Sequence, residues 1–148
     1  GVGSTVALGV GGKARDTPGE PVDVTGYVRL LSDGKFEDPT PTHGGWRYFD
    51  SGTTAVLETT DGHTLVLTSR SVGNTSIQQM HSLGIRPESK QVDVAKGVVS
   101  PRPAYQPIAA EIILVNTPGV TTSDLSTFTY HRRRKPLFPF EPEAAYEA

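Results

Sequence analysis

The sequence contains no cysteine. Disulfides, zinc-thiolate sites and thiol nucleophiles are therefore excluded, and a reducing compartment is compatible with the composition. Neither sign of charge dominates. Lys and Arg number 14 against 16 Asp and Glu, for a formal net charge of −2 and a pI near 6.1. No long-range field favours nucleic acid or an anionic membrane, and neither is expected as a partner. No apolar run approaches the roughly 18 residues that cross a bilayer, and no basic start followed by an apolar stretch reads as a signal peptide. A cytoplasmic location is the expectation. Apolar residues make up 35% of the chain, whereas Gly 16 and Pro 12 are abundant. That balance favours turns and short elements over a helical bundle. A chain of 148 residues suffices for one domain with its own core.

What is present is mostly β-pattern. Val6, Leu8 and Val10 alternate with Ala7 and Gly9, a short strand stopped by Gly11 and Gly12. Pro18-Gly19 marks a turn, after which a second strand runs from Val22 to Leu31 and ends at Ser32-Asp33-Gly34. The Pro, Gly and Thr content of residues 36–51 predicts a long loop, anchored by Trp46, Tyr48 and Phe49. Residues 54–59 and 64–68 form the clearest hairpin, joined through Asp61-Gly62. Ser76 followed by Gln79 has the form of a capping box, Ile77, Met80 and Leu83 share a helical face, and Gly84 supplies a left-handed stop. Val92 and Val94 alternate as a further strand. Pro101, Pro103 and Pro107 leave room for a turn of helix at most. The unbroken Ile112-Ile113-Leu114-Val115 predicts a strand buried on both faces, closed by Thr117-Pro118-Gly119. The end, with Pro136, Pro139 and Pro142, is expected to be extended and partly disordered. The expected class is α+β: one β-rich domain of short strands and hairpins with one or two short helices.

Catalytic constellations are missing. The four histidines, His43, His63, His81 and His131, are scattered, and no pair has the i, i+4 spacing of a local zinc motif. They read as surface or loop residues, so no metal ligand is assigned. Ser69 and Ser100 lie in no G-x-S-x-G setting. Gly9-Val10-Gly11-Gly12-Lys13 lacks the spacing of a phosphate loop and reads as a strand end. His131-Arg132-Arg133-Arg134-Lys135 is the densest basic cluster. It reads as a solvated tail, or as a strap onto acids of the same chain, sooner than as a nucleic-acid contact.

Several ordered segments carry a resemblance. They are LVLTSRSV at residues 65–72, HSLGIRPESKQVDVAKGVVSPRPAYQPIA at 81–109, NTPGVTTSDL at 116–125 and YHRRRKPLFPFE at 130–141. With VALGVGGK at 6–13 and VRLLSDGKF at 28–36, they make the chain resemble the C-terminal domain of the MlrC-like (microcystinase C) metallopeptidases over nearly its whole length. The resemblance implies a C-terminal domain over residues 1–135 and a tail over 136–148. It also implies a helix before Gly1, so that the domain is expected to be truncated at that side. Members of the family are zinc-dependent hydrolases of linear peptides or related amides, linked by name to microcystin degradation. The resemblance places zinc and its ligands in a larger N-terminal domain of the same protein, which would be this chain's partner; no cofactor is expected in the chain itself. Where many members have His and Phe after the Lys-Ser pair, this chain has Lys96-Gly97-Val98-Val99-Ser100-Pro101-Arg102-Pro103-Ala104-Tyr105. That departure implies a subgroup whose substrate is not the microcystin peptide.

The same segment holds the best candidates for substrate binding. Lys96, Ser100, Arg102 and Tyr105 lie in a Pro-stiffened loop, where polar side chains can be held toward a cleft. An Arg fork suits the carboxylate of a small peptide or amide substrate. The competing reading makes Arg102 a structural ion pair and Tyr105 a core residue. Arg70 is a weaker candidate of the same kind. The expected role is the non-catalytic C-terminal part of a zinc metallopeptidase, completing its substrate cleft. The rival is a free-standing β-rich binding or assembly module without catalytic activity. Separately, the expected truncation before Gly1 would leave a sheet face open, exposed as an apolar patch or covered by a second copy of the chain.

Overall fold

The computed structural model describes residues 1–13, 19–117, 122 and 124–145. Among these residues, six strands form two antiparallel sheets. The larger has the order β1-β2-β5-β6, built from β1 (Thr5–Val10), β2 (Val22–Ser32), β5 (Thr54–Thr59) and β6 (Thr64–Thr68). The smaller pairs β3 (Lys35–Glu37) with β4 (Tyr48–Asp50). Two four-residue helices follow, α1 (Gln78–His81) and α2 (Arg102–Tyr105), with single 3-10 turns at Pro87–Ser89 and Leu125–Thr127. The class is β-rich α+β, as the alternation of apolar residues predicts.

One irregularity organises the core. On β2, Val28 faces Leu57, whereas Leu30 faces the next residue of β5, Val56. Arg29 is therefore a bulge, and the extra residue moves the apolar positions of β2 from one face of the sheet to the other. Before the bulge, register puts Val6, Leu8, Val24, Val28, Leu57 and Leu65 on a common face. After it, Leu30, Val56 and Val66 share the opposite face and pack with Met80, Leu83 and Ile85. Val56 is wholly buried there. Burying a Val side chain contributes about 1.5–3 kcal/mol, so this small cluster is what holds α1 against the sheet.

Helix α1 is short because its ends are set by local chemistry. Ser76 Oγ accepts from the amide of Gln78 at 3.1 Å, not from Gln79, and the Gln79 side chain is buried instead of reaching back. The expected capping box is thus replaced by a two-residue serine turn. Gly84 has φ 66°, and the Ile85 amide donates to the Met80 carbonyl at 3.0 Å, a left-handed stop of the expected kind.

Four further expectations are corrected. Residues 36–51 are not loop throughout: Phe36 and Phe49 are cross-strand partners in β3–β4, stacked with centroids 4.6 Å apart and planes 3° from parallel. Trp46 and Tyr48 stand out in solvent, at 68% and 72% exposure, and are not buried anchors of a loop. Val92 and Val94 form no strand and are exposed. Neither do residues 112–115, for the same reason: the sheet ends at β1 and β6, and neither edge takes them up. A β-forming run without a ladder partner is only an extended segment.

The tail is the fourth. Arg133 donates to Glu141 from both terminal nitrogens, with Nη2–Oε1 at 2.7 Å, and stacks over the Phe140 ring at 4.5 Å. Phe140 meets Tyr130 edge-on. Residues 133–141 are therefore a folded strap and not an extended end, and the strap onto an acid of the same chain holds for Arg133. The turns expected at Pro18-Gly19 and Thr117-Pro118-Gly119, and the last residues 146–148, lie at least partly outside the described residues.

Candidate functional site

Local sequence closes the 96–105 segment on itself. Gly97 has φ 155°, and a Cβ there would lie 2.8 Å from Cγ of Pro101, so the chain can make this approach only with glycine. Pro101 is buried under it. The Arg102 amide donates to the Val99 carbonyl at 3.1 Å and the Tyr105 amide to the Pro101 carbonyl at 3.2 Å. Pro103 sits in the first turn of α2, where an amide hydrogen would have no helical partner. The turn runs on through Gln106 to Arg102 at 2.8 Å and Ala109 to Tyr105 at 3.0 Å. The backbone around Arg102 is thereby fixed.

The candidates occupy this loop unequally. Lys96 is exposed and Ser100 half-buried. Arg102 is exposed, with Nε 3.3 Å from Oε1 of Gln106, and among the described residues no carboxylate pairs with it. The expected structural alternative, an ion pair for Arg102, is not what the structure shows. Tyr105 is 8% exposed and is a core residue, as the competing reading has it, and its buried hydroxyl has no hydrogen-bond partner among the described groups. Burial first, and the Asp93 carboxylate second, push this phenol up to about 12. It stays neutral at physiological pH and keeps one proton to donate. Asp93 is itself pushed up by burial, against the pull of Lys90. Sequence reading missed Asp93 because its place between Val92 and Val94 suggested a strand position; only the fold sets it beside Tyr105. The loop thus presents a guanidinium fork at the surface, with the neutral phenol buried beneath it.

Arg70 is engaged elsewhere. It forms an ion pair with Asp50 at the end of β4, and the Arg70 amide donates to the Ser51 carbonyl at 3.1 Å. The Gly52 amide and Arg70 hold the Asp50 carboxyl below its usual range, with burial opposing them. Lys35, Phe36, Glu37, Tyr48, Phe49 and Asp50 line an open groove of about 380 Å³ along this small sheet. Arg47 reinforces the arm by binding Glu37 at 2.7 Å.

The described residues do not fit a catalytic metal. No three His, Asp or Glu side chains among them come together. His81 pairs with Glu88 at 2.9 Å and His63 lies 3.7 Å from Asp61, each a lone couple. A hydrolytic zinc site takes about three converging protein ligands. No helix among the described residues is long and apolar enough to cross a membrane.

Comparison with known proteins bears on the whole chain. A family model described as MlrC C-terminus matches residues 1–132. No curated protein matches the sequence. Among solved structures, the crystal structure of a protein from Mesorhizobium sp. BNC1 described as a "putative metallopeptidase" superposes with a TM-score of 0.80 at 25% sequence identity. The match covers 99% of this chain and 28% of that one, so the chain spans little more than a quarter of its relative's length.

Proposed function

This chain belongs to the MlrC C-terminus family, and from that premise we propose that it is the non-metal-binding C-terminal part of a zinc metallopeptidase or amidohydrolase that cleaves linear peptides or related amides. Its role is to complete the substrate cleft. The zinc and its ligands belong to a larger N-terminal domain of the same protein, which is its partner, in keeping with the mismatch between the described residues and a metal site. When bound there, zinc supplies Lewis-acid activation of the scissile amide. The residues of this chain bind and orient.

One observation carries the reading. Arg102 stands on a backbone fixed by Gly97, Pro101 and Pro103, exposed and without a carboxylate partner among the described residues. A guanidinium held this way loses little conformational freedom when it forks onto a substrate carboxylate. The neighbouring Tyr105 hydroxyl is a buried donor without a partner among the described groups. Lys96 and Ser100 line the approach, while Arg70 serves the β3–β4 arm. The test is steady-state hydrolysis of a linear peptide by the full-length protein carrying Arg102→Lys, beside its thermal melt.

A second reading has an observation of its own. Ile113, Leu114 and Val115 are exposed at 74%, 67% and 74%, which would also suit a non-catalytic assembly module that self-associates. Sedimentation of this chain across a concentration series separates the two, since only the assembly module must dimerise.

A further inference from the structure

Residues 112–115 join two facts that conflict within the chain. Ile112, Ile113, Leu114 and Val115 are all strong β-formers, and their unbroken run is that of a strand covered on both faces. In the structure they belong to no strand and are unpaired. None of their backbone amides or carbonyls enters a backbone hydrogen bond among the described residues, and three of the four side chains are mostly in solvent. A β-forming run with free amides and carbonyls and apolar side chains is a template for strand pairing. The larger sheet has edges of its own, on β1 and β6, and among the described residues neither takes up this run, nor does the β3–β4 pair.

We infer that residues 112–115 are a strand of a sheet completed by the part of the protein outside these 148 residues, inserted between its strands and not laid on its edge. This rests on the reading of the chain as one part of a longer metallopeptidase. Two arguments select that occupant over a second copy. The matched Mesorhizobium chain carries this fold as 28% of its length, so most of that polypeptide lies outside the matched region. Further, a run apolar at every position needs cover on both faces and both edges. A two-fold pairing of identical four-residue segments covers one edge and leaves the other wet.

Hydrogen–deuterium exchange on the unmodified full-length protein, at two concentrations tenfold apart, tests this. The amides of Ile113, Leu114 and Val115 should exchange roughly 100-fold more slowly than an unstructured peptide, equally at both concentrations. Exchange near the unstructured rate overturns the inference. So does protection that appears only at the higher concentration, which assigns the strand to a second copy. Protection in a protein that hydrolyses no peptide would remove the proposed function and leave this inference standing. Activity without protection would do the reverse.

Discussion

Arg29 ties the bulge of β2 to the end of α1, its Nη2 donating to the carbonyl oxygen of Leu83 at 3.1 Å. Its Nε lies 3.4 Å from Oε1 of Glu58 on the neighbouring strand. A carbonyl at a helix end has no partner within the helix, so this long side chain supplies one. Arg29→Met keeps the aliphatic stem and removes both contacts. Chemical denaturation should show a loss of about 1–2 kcal/mol, at the lower end for a charged hydrogen bond because the side chain is partly exposed. An unchanged midpoint would mean that the Val56, Leu83 and Ile85 cluster alone holds the helix.

Gly97→Ala tests whether the candidate loop is built as described. The added Cβ would meet Pro101, and φ 155° is unfavourable for alanine. Destabilisation on the order of 1–2 kcal/mol is expected, with the amide resonances of residues 96–105 shifting and those of β5 and β6 unmoved. Shifts throughout the sheet would place the loop's role in the core.

The Arg133–Glu141 strap has an acid limit. Arg133 first, and the Leu137 amide second, pull the Glu141 carboxyl from 4.5 down to about 2. A carboxyl depressed on folding stabilises fully above its unfolded pKa and loses that contribution as pH falls toward the folded one. The strap should therefore loosen between about pH 4.5 and 2, seen as loss of contact between Tyr130 and Phe140 in a proton NMR titration. In Glu141→Gln the contact should be weak at every pH. Contact that survives to pH 2 with Glu141 protonated would assign the strap to the aromatic pair alone.

Tyr105 has an alkaline counterpart. Its pKa is raised on folding, so the stability linked to the neutral phenol is whole below about 10 and is lost as pH climbs toward 12. In a phenolate absorbance titration one of the five tyrosines should ionise last, together with unfolding. Tyr105→Phe should abolish that late step. It should also leave the melting temperature of this chain unchanged or higher, because the hydroxyl it removes is buried and unpaired. A marked drop in melting temperature would reveal a partner for the hydroxyl within the fold.

Much of the fold was legible because local pattern and final pairing agree. Residues 54–59 and 64–68 are β-formers on either side of Asp61-Gly62, and they become β5 and β6. Gly84 stops α1 as its position suggests. The failures share a cause. Val92, Val94 and residues 112–115 have the right composition for strands, but a strand exists only where an edge receives it, and composition does not say which edge. The β3–β4 pair escaped notice because three residues on each side carry too little alternation to stand out among Pro and Gly. For the site, the stiff loop around Arg102 could be read from its prolines. The Asp93–Tyr105 relation could not, because it depends on where the fold brings residue 93 relative to α2.

The most direct test of the central claim is the specificity constant of full-length Arg102→Lys for a linear peptide, measured with its melting temperature. Lysine keeps the charge and loses the fork. The account predicts a fall in kcat/KM of about 1–3 kcal/mol in transition-state binding, roughly 5- to 150-fold, with the melt unmoved. Unchanged kinetics, or a loss matched by a drop in melting temperature, would contradict it and leave Arg102 a surface residue of a structural domain.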